Sequence, residues 1–414
     1  MDRHKHLGPP THLDNAQILD PVSGAISGPV TITVADGLIA EIQDRGSATD
    51  GRHLDLAGLV VMPGLIDCHV HVTASSADEA AITDTSPSYV TALAAKSMHD
   101  MLMRGFTTVR DAAGADYGLS LAVAEGLFLG PRLLFGGPGL TQTGGHADHR
   151  GPGQVVVPHA SSFPSHGLVC DGEVEARRAA RDVLRRGADH IKIMLSGGVA
   201  SPTDRVESTQ FSASEIRAVV EEANAAGRYV LGHAYPAAAI NRGLEAGVRS
   251  IEHGNLLDET SLDLFIRMNA FLVPTLITYR ALAEEGERWG LPARSAAKVA
   301  DLLERGLEAL RRADEGGVQV AFGTDLLGGM QRRQSEEFVL RGTVQSPLSV
   351  IRSATITGAK LLRLDGVIGE VKPGYAADLI AIDGNPLDGL EILAEPEKSV
   401  RLVMQSGEVV RNNV

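Results

Sequence analysis

Apolar and polar positions alternate in short runs at both ends of the chain and follow a longer rhythm between them. Residues 15–62 read as short strands separated by glycine turns, in "AQILDPVSG", "PVTITVADGLIAEIQD" and "RHLDLAGLVVMPG". The tail repeats that texture in "VIGEVKPGYAADLIAIDGNP" and "SVRLVMQSGEVVRN". Short or period-two apolar runs bounded by Asp-Gly, Pro-Gly and Ser-Gly predict strands joined by tight turns. The two ends are therefore expected to build one small β domain, a β sandwich of residues 1–62 and 362–414, which the middle of the chain interrupts.

The middle changes rhythm. Short apolar segments recur in the order "LIDCHVH", "FTTVRDA", "RLLFGG", "HIKIML", "YVLGHAY", "SIEHG", "FLVPTL" and "VQVAFGTD". Stretches at helical spacing separate most of them. The clearest is "FSASEIRAVVEEANAAG", in which Ser212 and Glu215 fit a capping box and Ile216, Val219, Val220 and Ala223 line one face, before Gly227 ends it. Eight strands alternating with helices over about 260 residues predict an α/β fold, a (β/α)8 TIM barrel spanning 63–361. An open doubly wound sheet competes, but no Gly-x-Gly-x-x-Gly turn supports it. The connection at 138–171 is long and rich in Gly, Pro and His, as functional loops often are. In a barrel it emerges on the catalytic face.

Composition narrows the class. With 414 residues, 43% hydrophobic and 22% charged, the chain has the make-up of a soluble globular protein with room for one large domain and a smaller one. No apolar run approaches the roughly 20 residues of a membrane span. The polar start "MDRHKHLGPPTHLDNAQ" contains no signal-peptide segment. Cys68 and Cys170 alone give no disulfide framework. A cytoplasmic protein is the expectation, and a homo-oligomer the expected assembly. The net charge of −14 argues against nucleic acid or an anionic membrane as partner. A small anionic substrate stays open, because local charge at a site can oppose the global sign.

The stretch "GLIDCHVHV", 64–72, raises the chemical question. In an extended chain residues two apart face the same side, so His69 and His71 share one face and Cys68 and Val70 the other. They are either hydrogen-bonded core histidines or two nitrogen ligands for one metal ion. Barrel chemistry gathers at the C-terminal strand ends, and those ends carry His69, His71, Lys192, His233, His253 and Asp325. Singly, each has an ordinary reading: a structural histidine, a helix N-cap for Asp325, a snorkelling Lys192. Together, four imidazoles, a lysine and a carboxylate on one rim suit zinc and similar divalent ions. An ammonium beside such ions is repelled and costly to desolvate. Lys192 makes chemical sense there as an anionic carbamate (N6-carboxylysine), which can bridge two cations.

"VMPGLIDCHVHV", "HIKIMLSGG", "GHAY", "IEHGN" and "GTD" together resemble the amidohydrolase superfamily of metal-dependent hydrolases, over nearly the whole chain. "FTTVRDA", "TQTGGHAD", "IKIMLSGGVASP" and "FGTDLL" are similar to its imidazolonepropionase-like branch. Within that branch the resemblance is nearest to metal-dependent Xaa-Pro dipeptidases (prolidases) and related carboxypeptidases, which work on dipeptides and N-acyl amino acids. It implies a binuclear centre of two divalent metal ions, with zinc expected and cobalt or manganese compatible. His69, His71 and Asp325 would hold the more buried ion, His233 and His253 the other, and carboxylated Lys192 would bridge them. The segment around 150–170 departs from the dipeptidase-like pattern.

On that reading two metals make hydroxide available near neutral pH. Asp325 accepts its proton and later passes it to the leaving nitrogen. His146, in "TGGHAD", is either a loop hydrogen-bonder or, as the resemblance favours, a substrate contact. Tyr235 follows His233 by two and either binds a substrate carboxylate or oxyanion or packs beside the loop. Gly198 and Val199 of "SGGVASP", 196–202, offer backbone N–H groups that could cradle a carboxylate, though such turns also serve as close-packed strand exits. Arg110 and Asp111 read as a pair that orients the ligands, or as a rim salt bridge. The expected substrate is a small molecule with a free carboxylate beside the scissile amide. The alternatives are a xenobiotic amide, carbamate or urea hydrolase and an imidazolonepropionase-like cyclic amidase. A non-catalytic assembly protein would be expected to lose ligands that this chain retains.

Overall fold

The computed structural model describes residues 8–44, 50–82, 84–151, 153–154, 166–199, 201, 204–299 and 301–414. Five strands come first: β1 (Thr11–Leu19), β2 (Ile26–Ala35), β3 (Leu38–Asp44), β4 (Arg52–Asp55) and β5 (Val60–Pro63). The middle of the chain supplies β6 (Leu65–Val70), β7 (Phe106–Asp111), β8 (Arg132–Phe135), β9 (Gly139–Thr141), β10 (Gly167–Val169) and β11 (Ile191–Met194). It continues with β12 (Val230–Pro236), β13 (Ser250–Leu256), β14 (Phe271–Val273) and β15 (Gln319–Val320). The tail adds β16 (Leu379–Ile382), β17 (Val400–Gln405) and β18 (Glu408–Asn412).

Strands from the two ends of the chain share one eight-stranded sheet, in the order β18-β17-β16-β5-β1-β2-β3 with β4 on β1. The seam is the antiparallel pairing of β5 with β16, where Val60 to Pro63 oppose Ile382 to Leu379. Leu13, Ile32, Val34, Ile39 and Val61 pack with Leu379, Ala381, Leu402 and Met404 in a core of their own. Strands distant in the sheet order thus meet through their side chains. Ile39 N–H also donates to Tyr375 O at 2.9 Å and Gly407 N–H to Ala377 O at 3.1 Å.

The middle of the chain is a mixed α/β fold on parallel strands. β6-β7-β8 form one sheet and β10-β9-β11-β12-β13-β14-β15 a second. Backbone bonds link the two at both ends. Cys68 N–H donates to Phe322 O and Asp325 N–H to His69 O, each at 2.8 Å, while Asp189 N–H donates to Phe135 O at 2.9 Å. All eight apolar segments singled out in the sequence contain a strand. Two are shorter than their apolar runs. β14 stops at Val273 because Pro274 has no N–H for the ladder. β15 pairs over Gln319–Val320 only, because the following residues turn across to β6: Phe322 O accepts from Cys68 N–H, and Asp325 takes φ 52°.

The helix Ala213–Ala225 has the expected capping box: Ser212 Oγ accepts from Glu215 N–H while the Glu215 side chain accepts from Ser212 N–H. Ile216, Val219, Val220 and Ala223 are its buried face, together with Ala218. The 138–171 connection holds two short strands, β9 and β10, that its polar composition did not announce; residues 152 and 155–165 of it lie outside the described residues. Among the described residues no helix is long and apolar enough to cross a membrane.

Candidate active site

β6 carries His69 and His71 on one face, and hydrogen bonding fixes how each ring points. His71 Nδ1 donates to Ala113 O at 2.7 Å, and His69 Nδ1 donates to Glu252 Oε2 at 2.7 Å. In neutral imidazoles this leaves both Nε2 atoms as lone pairs. They face the same carboxylate oxygen, Asp325 Oδ1, at 3.3 Å from His69 and 3.2 Å from His71. His69 Nε2 is buried without a hydrogen-bond partner. Three acceptors within 4.8 Å of one another repel unless a cation sits among them. The donor set fits a divalent metal ion.

Local backbone explains how Asp325 reaches that point. A Cβ on Gly323 would lie 2.4 Å from Val273 Cγ1 and 2.9 Å from His69 Cβ, so only glycine lets the chain pass this close beneath His69. Asp325, His253 and Thr275 have φ values of 52°, 75° and 48°. Such left-handed, non-glycine residues cost about 1–3 kcal/mol each and persist where the surroundings over-determine them. All three cluster at the site.

Lys192 from β11, His233 from β12 and His253 from β13 converge on the same space. Lys192 is 2% exposed, so it does not snorkel to solvent. His233 and His253 rings stand 4.6 Å apart and His253 is 5.3 Å from His69. His233 Nε2 donates to Gly197 O at 3.2 Å, and His253 Nδ1 pairs with Thr275 Oγ1 at 2.7 Å. Each ring thereby keeps its other nitrogen for the cavity. Burial, reinforced by neighbouring cations and imidazoles, pulls both rings well below the ordinary imidazole range. They are neutral and available as ligands. Burial alone would raise Asp325, but positive charge at the facing His69 and His71 nitrogens, a proton on them or a cation held among the three, pulls its carboxyl well below the usual carboxylate range. It is an anion.

The six residues line one cavity, with His146, His166, Tyr235 and Val199 on its wall and Met194, Leu282, Leu291 and Leu327 completing an apolar side. His146 stacks on His233 at 4.2 Å. Tyr235 lies parallel over His253 at 5.1 Å, and its hydroxyl accepts from Tyr279 at 3.2 Å. Burial raises the Tyr235 phenol above its ordinary range, so it stays protonated. Gly198 does not line the cavity; it lies under His146, where a Cβ would come within 2.4 Å of the ring.

Arg110 and Asp111 do not pair. Successive strand residues face opposite sides, and these two part accordingly. Asp111 accepts the Val72 and Ala115 N–H groups at 2.7 and 3.0 Å. Arg110 instead donates to both oxygens of Glu252 at 2.8 and 3.0 Å, to Ser250 Oγ at 3.1 Å and to Cys68 O at 2.5 Å. Both side chains are fully buried. Burial opposes ionisation of Glu252, but Arg110 and His69 overcome it and hold the carboxyl far below its ordinary range. Glu252 thus anchors His69 from behind. Sequence reasoning missed it, although "IEHG" places it next to His253. His166, which meets Thr73 Oγ1 at 3.0 Å and stacks on His71 at 5.8 Å, was also missed. Removing one partner of a buried ion pair strands the other's charge, at about 3–5 kcal/mol. Arg110→Met is therefore expected to lower unfolding free energy by about that amount in chemical denaturation. A variant as stable as the parent would show that the pair holds nothing in place.

The amidohydrolase family model matches residues 60–410. A crystal structure of a prolidase complexed with N-methylphosphonate-L-proline is 42% identical, with a TM-score of 0.95, and covers 97% of this chain and 100% of that one. A crystal structure of a Xaa-Pro dipeptidase with methionine bound in its active site is 31% identical, with a TM-score of 0.88 and the same coverage. Ochratoxinase of Aspergillus niger is 33% identical over 366 residues, 85% of this chain and 76% of its own length.

Proposed function

The chain belongs to the amidohydrolase family, and on that premise we propose that it hydrolyses the amide bond of dipeptides or N-acyl amino acids whose leaving part carries a free carboxylate. That it is a hydrolase acting on amide bonds follows from the family and from its prolidase and ochratoxinase relatives. The observation that carries the finer reading is the single cavity onto which His69, His71, Lys192, His233, His253 and Asp325 converge beside Tyr235 and His146. The cross-links from β6 to Phe322 and Asp325 support a closed (β/α)8 barrel over 63–361, with these residues at its C-terminal rim. The core shared by distant strands of the terminal sheet supports a small sandwich of residues 1–62 and 362–414. Two buried, unpaired cysteines suit the cytoplasm, and a homo-oligomer is part of this reading.

His69, His71 and Asp325 would hold one divalent ion, His233 and His253 a second, and Lys192, as a carbamate, would bridge them; zinc suits the donors. Bound there, the ions would lower the pKa of a water and polarise the scissile carbonyl. Asp325 takes the proton of the attacking water and delivers it to the leaving nitrogen. Tyr235, protonated by virtue of its burial, donates its hydroxyl to the substrate's oxygen, and His146 meets the substrate from the opposite wall. Leu282, Leu291 and Leu327 take the acyl portion. That apolar wall also favours a second reading within the same chemistry, hydrolysis of xenobiotic amides with bulky apolar acyl groups.

A panel of dipeptides and N-acyl amino acids, each as the free acid and as its methyl ester, tests the proposal. Esterification is expected to cut kcat/KM by at least about tenfold, because a site built for a carboxylate leaves its donors unpaired without one. Tyr235→Phe should narrow the gap. Equal cleavage of both forms would replace the carboxypeptidase-like reading with a general amide hydrolase.

A further inference from the structure

Lys298, in the helix Ala293–Val299, reaches the turn after β11 and does not line the cavity. Its Nζ donates to three backbone carbonyls of that turn, Gly198 O at 3.0 Å, Ser201 O at 3.2 Å and Asp204 O at 2.9 Å. Three carbonyls match the three N–H donors of an ammonium, and the Asp204 carboxylate lies 3.7 Å away. Nothing in the metal chemistry requires this cation, yet it is spent on one short turn.

What the turn presents to the cavity gives the cation a use. Among the described residues only the Gly28–Pro29 bond is cis, so the Gly198–Val199 peptide is trans and its N–H points opposite to its C=O. With Lys298 on the carbonyl side, the Val199 N–H faces the other way, and Val199 lines the cavity. A cation on the carbonyl polarises the peptide and strengthens that N–H as a donor. The same turn also sets His146. Asp204 Oδ2 is 3.5 Å from His146 Nδ1. Gln210 bonds Asp204 Oδ2 at 3.0 Å and the His146 N–H at 2.9 Å. Lys298, Asp204 and His146 form one linked series that ends on the cavity wall at His146.

We propose that Lys298 is a positioning residue for the substrate's carboxylate. It acts through the Gly198–Val199 peptide and through Asp204 on His146, without touching the reacting atoms. The inference rests on the carboxylate reading given above and names what enforces it.

The test is Lys298→Met, which keeps the length of the side chain and removes its charge and donors, assayed on matched acid and methyl ester substrates. KM for the acid is expected to rise at least about tenfold while kcat stays within about threefold, the pattern of lost binding rather than lost chemistry. The preference for acid over ester should fall to within about twofold, with metal content unchanged, and Lys298→Arg should retain most of the preference. If Lys298→Met keeps the full preference, or loses acid and ester cleavage equally, Lys298 only staples the turn and the proposal is overturned. If the parent enzyme itself shows no preference, the carboxylate reading fails first and Lys298 with it. Thermal melting checks the fold, and Lys298→Gln repeats the comparison should the Met variant not fold. Failure of both variants to fold assigns Lys298 to stability and overturns the proposal.

Discussion

Asp325→Asn is expected to keep its metal and lose turnover by about 10²-fold or more. The amide retains the shape of the carboxylate and one oxygen for the ligand position that Asp325 Oδ1 occupies 3.3 and 3.2 Å from His69 and His71. It cannot accept a proton from water. An ionised carboxylate is what the site favours, since positive charge at the facing His69 and His71 nitrogens, a proton or a held cation, outweighs the burial that would otherwise raise it. Metal content measured beside kcat separates the two roles. Near-normal turnover would move the proton transfer to another group, with His146 the first candidate because its ring stacks directly on His233.

Lys192→Ala should be as damaging. The lysine is 2% exposed and shares its cavity with four imidazoles and a carboxylate, an environment in which an ammonium would repel bound cations. As the carbamate proposed above it would contribute an anion instead, and its removal is expected to lower activity by at least about 10²-fold. Acetate or propionate added to the variant should recover part of the loss by filling the vacated volume with a carboxylate. Full activity in Lys192→Ala with no additive would make the bridging anion unnecessary.

The strands in the middle of the chain were legible because each lies in a short apolar run, and several of those runs carry an isolated polar residue for chemical reasons. His69, Lys192, His233, His253 and Asp325 all stood out in that way, and all line the cavity. The terminal strands were legible through turn chemistry, and β5 pairs with β16 across the sheet that the two ends share. What stayed hidden depends on distance along the chain. Arg110 and Glu252 lie 142 residues apart, and nothing local in "TTVRDA" reveals that Arg110 turns to β13 while Asp111 takes backbone amides. Adjacency suggested a pair that strand alternation forbids. β9 and β10 are three residues each, too short for a period to register among glycines and histidines. Lys298 reads from sequence as one more charge on an amphipathic helix, and its meaning comes only from three carbonyls that the fold brings to it.

The central claim is that this cavity is a binuclear metal centre, and elemental analysis of protein purified after expression in metal-supplemented medium tests it most directly. About two divalent ions per chain are expected, falling to about one or none when His69 and His71 are both replaced by alanine. Protein that is folded and hydrolyses amides yet binds no divalent metal ion would contradict the account at its root.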